Sequence, residues 1–170
     1  ARSYYKTFKL PVIISNCSNN YGPNQHDEKL IPTIIRKAVN QEHIPIYGNG
    51  QNIRDWLFVD DHCHALIDLM SHGTVGEKYN IGTDNEVSNI EMAKKICAIL
   101  NKLSPREHSD DYSDLISFVA DRKGHDYRYA IDYSKINKYL GWKPRFGFEE
   151  NLNATVNWYL QRFNQHIKEV

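Results

Sequence analysis

Apolar positions along this chain follow two alternating rhythms. Short runs rich in β-branched and aromatic residues lie at 12–16, 53–59, 78–81 and 115–119, and these read as strands. Between them, apolar residues recur at the three- and four-residue spacing of a helix. Residues 28–39 place Leu30, Ile31, Ile34, Ile35, Ala38 and Val39 on one stripe, with Lys29 and Arg36 off it. Residues 61–71, capped by Asp60 or Asp61, are expected to turn Cys63, Leu66, Ile67 and Met70 inward. Ser88 is a good cap for 89–101, with Glu91 in the first turn and Ile90, Ala93, Cys97 and Leu100 at core spacing. Asp132 caps a short helix closed by Gly141, with Pro144 soon after, and Phe148–Phe163 is a final amphipathic helix. Segments 18–24 and 102–114 read as a turn and a polar loop.

Strands alternating with helices predict an α/β architecture with a partly parallel sheet. Ala1–Lys9 is polar and aromatic and runs straight into Leu10-Pro11, which reads as the tail of a helix feeding the first strand. Without a start signal for that helix, the expectation is that the polypeptide begins upstream and that this is part of a longer one. The first strand, 53–71 and 78–82 are then expected to complete one sheet with strands that lie elsewhere.

Composition narrows the function classes. A length of 170 residues suffices for one compact core. Lys+Arg and Asp+Glu balance at 21 each, so neither a nucleic acid nor an anionic membrane is expected as the main partner. No apolar run approaches a membrane span. Cys17, Cys63 and Cys97 are odd in number and follow no paired spacing, which implies reduced thiols and a cytoplasmic location.

Candidate chemistry concentrates in Pro45–Asp61, where a tyrosine precedes a Gly-x-Gly turn and Arg54-Asp55 stand at the mouth of the apolar run Trp56–Val59. A guanidinium on a rigid strand beside an aromatic face suits a ligand carrying phosphate and a flat ring. Asp121-Arg122-Lys123-Gly124-His125 follows a strand directly and reads either as an ordinary charged loop or as a holder of phosphate or ribose; Arg54 tilts the balance, since two separated arginines suit a diphosphate. Asn16–Pro23 stands where a strand meets a loop, the edge at which doubly wound sheets bind ligands, although asparagine also simply favours turns. Lys29 opposes the dipole of the helix it opens, a weak sign that it serves a ligand. Asp60–His64 contains metal-ligating residue types, but His62 and His64 are two apart on a helix and face different ways; solvated histidines are the better account, and no metal is expected. The chain has no G-x-G-x-x-G fingerprint, and no Tyr-x-x-x-Lys setting in it makes a convincing proton relay.

Six motifs follow in order along the chain: N-C-S-N-N-Y-G-P (16–23), E-K-L-I-P (28–32), P-I-Y-G-x-G-x-x-I-R-D-W-L-x-V-x-D-H (45–62), Y-N-I-G (79–82), A-D-R-x-G-H-D (120–126) and L-G-W-K-P (140–144). In that order they resemble the C-terminal half of the dTDP-glucose 4,6-dehydratases, of the extended short-chain dehydrogenase/reductase family. The resemblance implies the terminal part of an NAD-binding Rossmann fold plus a small mixed α/β substrate-binding domain. Residues 1–24 would end the Rossmann domain, and 25–170 would mainly hold the sugar nucleotide, with about 60–90 returning to the Rossmann sheet. It implies NAD as cofactor, a dTDP-glucose-type substrate, a homodimer for the whole enzyme, and internal redox: hydride leaves C4 of the hexose, water is lost across C5 and C6, and hydride returns to C6.

By the same resemblance, Asn19 touches the substrate and Asn20 the nicotinamide side of the cofactor. Lys29 and the Leu30 backbone follow the diphosphate, Pro45 and Tyr47 form the wall against thymine, and Arg54 pairs with the diphosphate. Asn89 meets the nucleotide, and Asp121, Arg122 and His125 meet ribose and phosphate. The catalytic Tyr-Lys pair is expected upstream of residue 1, with a Thr-Asp-Glu group further upstream, so the polypeptide alone is expected to be inactive. Lys123 departs from the proline usual in the family, and Asn24–Asp27 from its aromatic-rich stretch. The alternatives are another nucleotide-sugar epimerase or dehydratase, and a non-catalytic nucleotide-sugar-binding module.

Overall fold

In the computed structural model, which describes residues 1–107 and 110–167, a short helix α1 (Arg2–Phe8) leads to β1 (Ile14–Cys17) and β2 (Asn19–Tyr21). Helix α2 (Leu30–Val39), β3 (Ile44–Tyr47) and β4 (Ile53–Phe58) follow, then α3 (Val59–His72), β5 (Lys78–Ile81), β6 (Glu86–Ser88) and α4 (Asn89–Leu103). A 3-10 turn (Tyr112–Leu115), β7 (Ile116–Val119), β8 (Arg128–Tyr129), α5 (Ser134–Leu140) and α6 (Phe148–Ile167) complete the order. The α/β reading holds, and the strands pair mostly in parallel.

Strand β4 organises the molecule. Its Trp56–Phe58 half pairs in parallel with β2, while Ile53–Asp55 pairs antiparallel with β6 and Ile53–Arg54 in parallel with β8. Its alternating side chains feed two cores, because successive residues of a strand face opposite sides. Trp56 and Phe58 join the larger core with Tyr21, the apolar stripe of α2 and residues of α4 and α6. Leu57 joins the smaller one with Ala65 and Leu69 of α3, Tyr79 and Ile81 of β5, Ile136 and Trp142.

The clearest helix signals are realised. The α2 stripe is buried at Ile31, Ile34, Ile35 and Ala38. Ser88 caps α4 through a capping box with Glu91, and Ile90, Ala93, Cys97 and Leu100 are buried beneath it. Burial pushes the Cys97 thiol up to about 12, which leaves it a packed apolar group. Gly141 closes α5 in the left-handed region, while Asp132 accepts from Ser134 N–H from one residue outside the cap position, which is Tyr133.

Several expectations need correction. The first strand starts at Ile14 and is only half-buried, and it pairs with β5 alone among the described residues; β4 lies in a different sheet, so the first strand, 53–71 and 78–82 do not share one. The turn-like 18–24 contains β2, whose extended backbone is set by pairing with β4. β3 contains Pro45, and β6 and β8 are only three and two residues long, too short to carry a rhythm of their own. The 102–114 loop is shortened by α4, which runs to Leu103, and by the 3-10 turn from Tyr112.

Helix α3 differs most. It begins at Val59, so Asp60 and Asp61 lie inside the first turn and neither caps it. Its inward face is Asp61, Ala65 and Leu69, with Leu66 half-buried. Cys63 is exposed, and Ile67 and Met70 are 59% and 85% exposed. Two stripes compete on this helix, and the buried Asp61, which accepts from Arg145 N–H at 3.0 Å, fixes the less apolar one inward.

Candidate functional site

Between α2, β3, the start of β4 and the loop after β7 lies a cavity of about 460 Å³. Each wall reflects local sequence. The first turn of α2 supplies Lys29, Leu30 and, one turn on, Thr33 and Ile34. Pro45 and Tyr47 come from β3, and Arg54 and Trp56, which share a face of β4, close the back. Asn19, Glu28, Asn89 at the start of α4, Arg122 and His125 complete the lining.

The Gly-x-Gly turn makes this junction possible. Gly48 and Gly50 both have positive φ, +58° and +72°. A Cβ on Gly50 would lie 2.7 Å from Ile46 Cγ2 and 2.8 Å from Ile90 Cβ, and one on Gly48 would lie 2.9 Å from Asp121 Oδ2. The turn therefore sits tight against α4 on one side and against the 121–125 loop on the other.

Three cationic side chains meet the cavity, each held differently. Arg54 donates from Nη1 to the Ile53 carbonyl at 2.7 Å and from Nη2 to the Asp126 carbonyl at 2.9 Å. Burial lowers its basicity, the Asp126 carboxylate opposes that change, and Arg122 adds to it. Arg122 lies over the Tyr47 ring, 5.1 Å from guanidinium carbon to centroid, so cation and aromatic form one surface. Lys29 pairs at 3.3 Å with Glu28, and both side chains are largely exposed.

His125 is enclosed at the edge of the site. Its side chain is 4% exposed, and Nδ1 lies 2.7 Å from Asp121 Oδ1. That hydrogen bond holds the Asp121 carboxyl below the usual carboxylate range. Nε2 is buried with no partner among the described residues, on an imidazole whose other nitrogen is held by Asp121.

Of the residues expected at a site, Asn19, Lys29, Leu30, Pro45, Tyr47, Arg54, Asn89, Arg122 and His125 line this one cavity. Asp121 stands behind His125 rather than on the wall. Asn20 is elsewhere: its Nδ2 donates to the Ser18 carbonyl at 3.0 Å and to Cys17 Sγ at 3.3 Å. Its Oδ1 lies 2.7 Å from His62 Nδ1. The Ser18 carbonyl only accepts, which fixes the Asn20 amide and requires the proton on His62 Nδ1. His62 is thus a bound, half-buried group with a pKa lowered by burial, and not the solvated histidine the sequence suggested. Among the described residues, no three His, Cys, Asp or Glu side chains come together to hold a metal ion.

Glu28, Thr33, Ile34 and Trp56 line the cavity without having been singled out. Spacing contains a signal for three of them: Thr33 and Ile34 lie four residues after Lys29 and Leu30, and Trp56 lies two after Arg54. Glu28 opens the E-K-L-I-P motif next to Lys29, with which it pairs.

Comparison with known proteins adds to this geometry. A family model described as GDP-mannose 4,6 dehydratase matches residues 1–155. The dTDP-glucose 4,6-dehydratase of Neisseria gonorrhoeae is 53% identical over 161 residues, covering 94% of this chain and 46% of that protein. A crystal structure of the Bacillus anthracis dTDP-glucose 4,6-dehydratase in complex with NAD superposes with a TM-score of 0.84 at 43% identity, over 96% of this chain and 49% of that one. DesIV, a dTDP-glucose 4,6-dehydratase from Streptomyces venezuelae solved with NAD bound, gives the same TM-score, 0.84, at 39% identity. The chain spans about half the length of the relatives it matches.

Proposed function

The chain belongs to the GDP-mannose 4,6 dehydratase family, and from that premise we propose that it is the nucleotide-sugar-holding portion of a dTDP-glucose 4,6-dehydratase. The observation that carries this reading is the single cavity in which Arg54, Arg122 and Lys29 converge beside the Tyr47 ring and His125. Such a wall is chemically matched to a nucleoside diphosphate. The two planar guanidiniums, with the Lys29 ammonium beside them, take the phosphates, and an aromatic–proline face takes the base. On this reading Pro45 and Tyr47 face thymine, and Arg54 with Lys29 and the Leu30 backbone follows the diphosphate. Asp121, Arg122 and His125 hold ribose and phosphate, Asn89 the nucleotide, and Asn19 the substrate.

The whole enzyme would act as a homodimeric, NAD-dependent lyase that turns dTDP-glucose into dTDP-4-keto-6-deoxy-glucose and water, and this chain would orient the hexose for those steps. NAD, when bound, supplies the hydride acceptance and return. The carboxyl end of β1 fits its nicotinamide side: Ser18 Oγ is buried with no partner among the described residues, and Asn20 beside it is held in one orientation. The parallel β1–β5 pair with α3 packed on it supports assigning Ile14–Cys17 and about 60–81 to a Rossmann layer, whereas β2 and β6, within 1–24 and 60–90, pair with β4.

Calorimetric titration of the 170-residue chain tests the reading directly. dTDP is expected to bind at least as tightly as UDP. No binding of dTDP overturns the proposal, and binding of UDP alone moves it to a different nucleotide-sugar enzyme. The same polypeptide is expected to form no 4-keto sugar from dTDP-glucose, because its cavity binds and orients without a tyrosine–lysine relay; accumulation of that product would refute the division of labour.

A further inference from the structure

The loop carrying Asp121, Arg122 and His125 is fastened to the body of the protein at Asp126, and Asn52 holds that fastening. Asn52 lies one residue before β4 and is only 6% exposed. Its Nδ2 donates to the Asp126 carbonyl at 3.1 Å, and its own carbonyl accepts from Asn89 N–H at 3.0 Å. The same Asp126 carbonyl accepts from Arg54 Nη2 at 2.9 Å, so both of its lone pairs are engaged. Arg54 commits a second donor to the Ile53 carbonyl at 2.7 Å and keeps its remaining donors for the cavity.

We propose that Asn52 is a positioning residue for the anion-binding end of the cavity, acting through the Asp126 carbonyl on the Arg54 guanidinium. The inference rests on the nucleoside-diphosphate reading given above. A guanidinium pinned at two points loses little further freedom when a diphosphate arrives, and that pre-organisation raises affinity without adding a contact. Removing the Asn52 amide leaves the Asp126 carbonyl with Arg54 alone, and the guanidinium and its carbonyl become free to move together. The rest of the fastening survives, because Ile53 N–H still donates to the Tyr127 carbonyl at 2.8 Å and Arg128 still donates to Glu86 through Nε at 2.6 Å. Because those bonds keep the loop with Arg122 and His125 in place, the effect is expected at Arg54 and the phosphates, and the base wall of Pro45 and Tyr47, with Arg122 over the Tyr47 ring, keeps its geometry.

The test compares two probes, dTDP by calorimetry and thymidine by NMR titration, on the 170-residue chain. Asn52→Ala is expected to weaken dTDP binding about tenfold, the loss of one hydrogen bond's worth of positioning, and to leave thymidine binding within about twofold. In an Arg54→Ala background the same substitution is expected to change dTDP binding by less than about twofold, because the group it positions is gone. Should Asn52→Ala fail to fold, Asn52→Ser takes its place, since its hydroxyl is too short to reach the Asp126 carbonyl. Equal losses for dTDP and thymidine, or a full additional loss in the Arg54→Ala background, would show a general packing role and overturn the proposal. If the unsubstituted chain binds dTDP and the Asn52 variants bind it as tightly, this inference alone fails. If the unsubstituted chain does not bind dTDP, the reading of the cavity fails first and takes this inference with it.

Discussion

At the scale of single residues, the cations of the cavity are not equivalent, and their surroundings rank them. Arg54 is half-buried and clamped by two carbonyls, whereas the Lys29 side chain is 57% exposed and already paired with Glu28. Arg54→Ala is expected to weaken dTDP binding by about 1.5–3 kcal/mol, the range for a hydrogen bond to a charged group. Lys29→Ala is expected to cost no more than about 1 kcal/mol, because an exposed charge is screened by water and salt. Calorimetry on both variants decides the ranking, and an Arg54 variant with unchanged affinity removes that residue from the site. The identity of these residues was legible in the sequence because several ordered motifs carry them. Their supporting bonds were not. Nothing in Gly-Asn-Gly-Gln-Asn-Ile-Arg announces that the second asparagine reaches across to Asp126, seventy-four positions on, and nothing in Asp60–His64 announces that His62 reaches back to Asn20. Such contacts exist only once strands have paired.

At the scale of elements, legibility followed length and one-sidedness. Helices α2 and α4 declare themselves because one apolar stripe dominates each, and the capping box at Ser88 marks a start that the backbone confirms. Strands β2, β3, β6 and β8 carry no signal of their own: β2 reads as a turn through Asn19 and Asn20, β3 contains Pro45, and β6 and β8 are only three and two residues long. The equally short β1, β5 and β7 show compact runs of β-branched or aromatic residues. Helix α3 was seen but turned the wrong way, since Cys63, Ile67 and Met70 outnumber the apolar residues of the face that is buried. The Gly-x-Gly turn was recognised as a tight turn, and the structure supplies the reason. Gly50→Ala must place a Cβ against Ile46 and Ile90 while holding φ at +72°. The expected destabilisation is about 1–3 kcal/mol, from strain and overpacking together. Urea denaturation checks it, and a midpoint equal to that of the unsubstituted chain would mean that β3 and α4 move apart without cost.

At the scale of the whole molecule, the two cores are not independent, because they share a strand. Trp56 and Phe58 of β4 belong to the larger core, and Leu57 between them belongs to the smaller. Neither core can dissolve without exposing one face of β4, and β4 carries Arg54 and the pairing of β2, β6 and β8. The molecule is therefore expected to unfold in one cooperative step. Its three tryptophans are placed to test this: Trp56 and Trp158 belong to or pack against the larger core, and Trp142 is buried in the smaller. Their indole resonances are expected to disappear at one common urea concentration. Because a ligand that binds only the folded state stabilises everything that unfolds with it, dTDP at about a hundred times its dissociation constant should add about 2.7 kcal/mol. That shift should reach the indole of Trp142 as fully as that of Trp56, although Trp56 lines the cavity and Trp142 does not. Two separate midpoints, with dTDP moving only that of Trp56 and Trp158, would show instead that β4 is a hinge between two cores that melt apart.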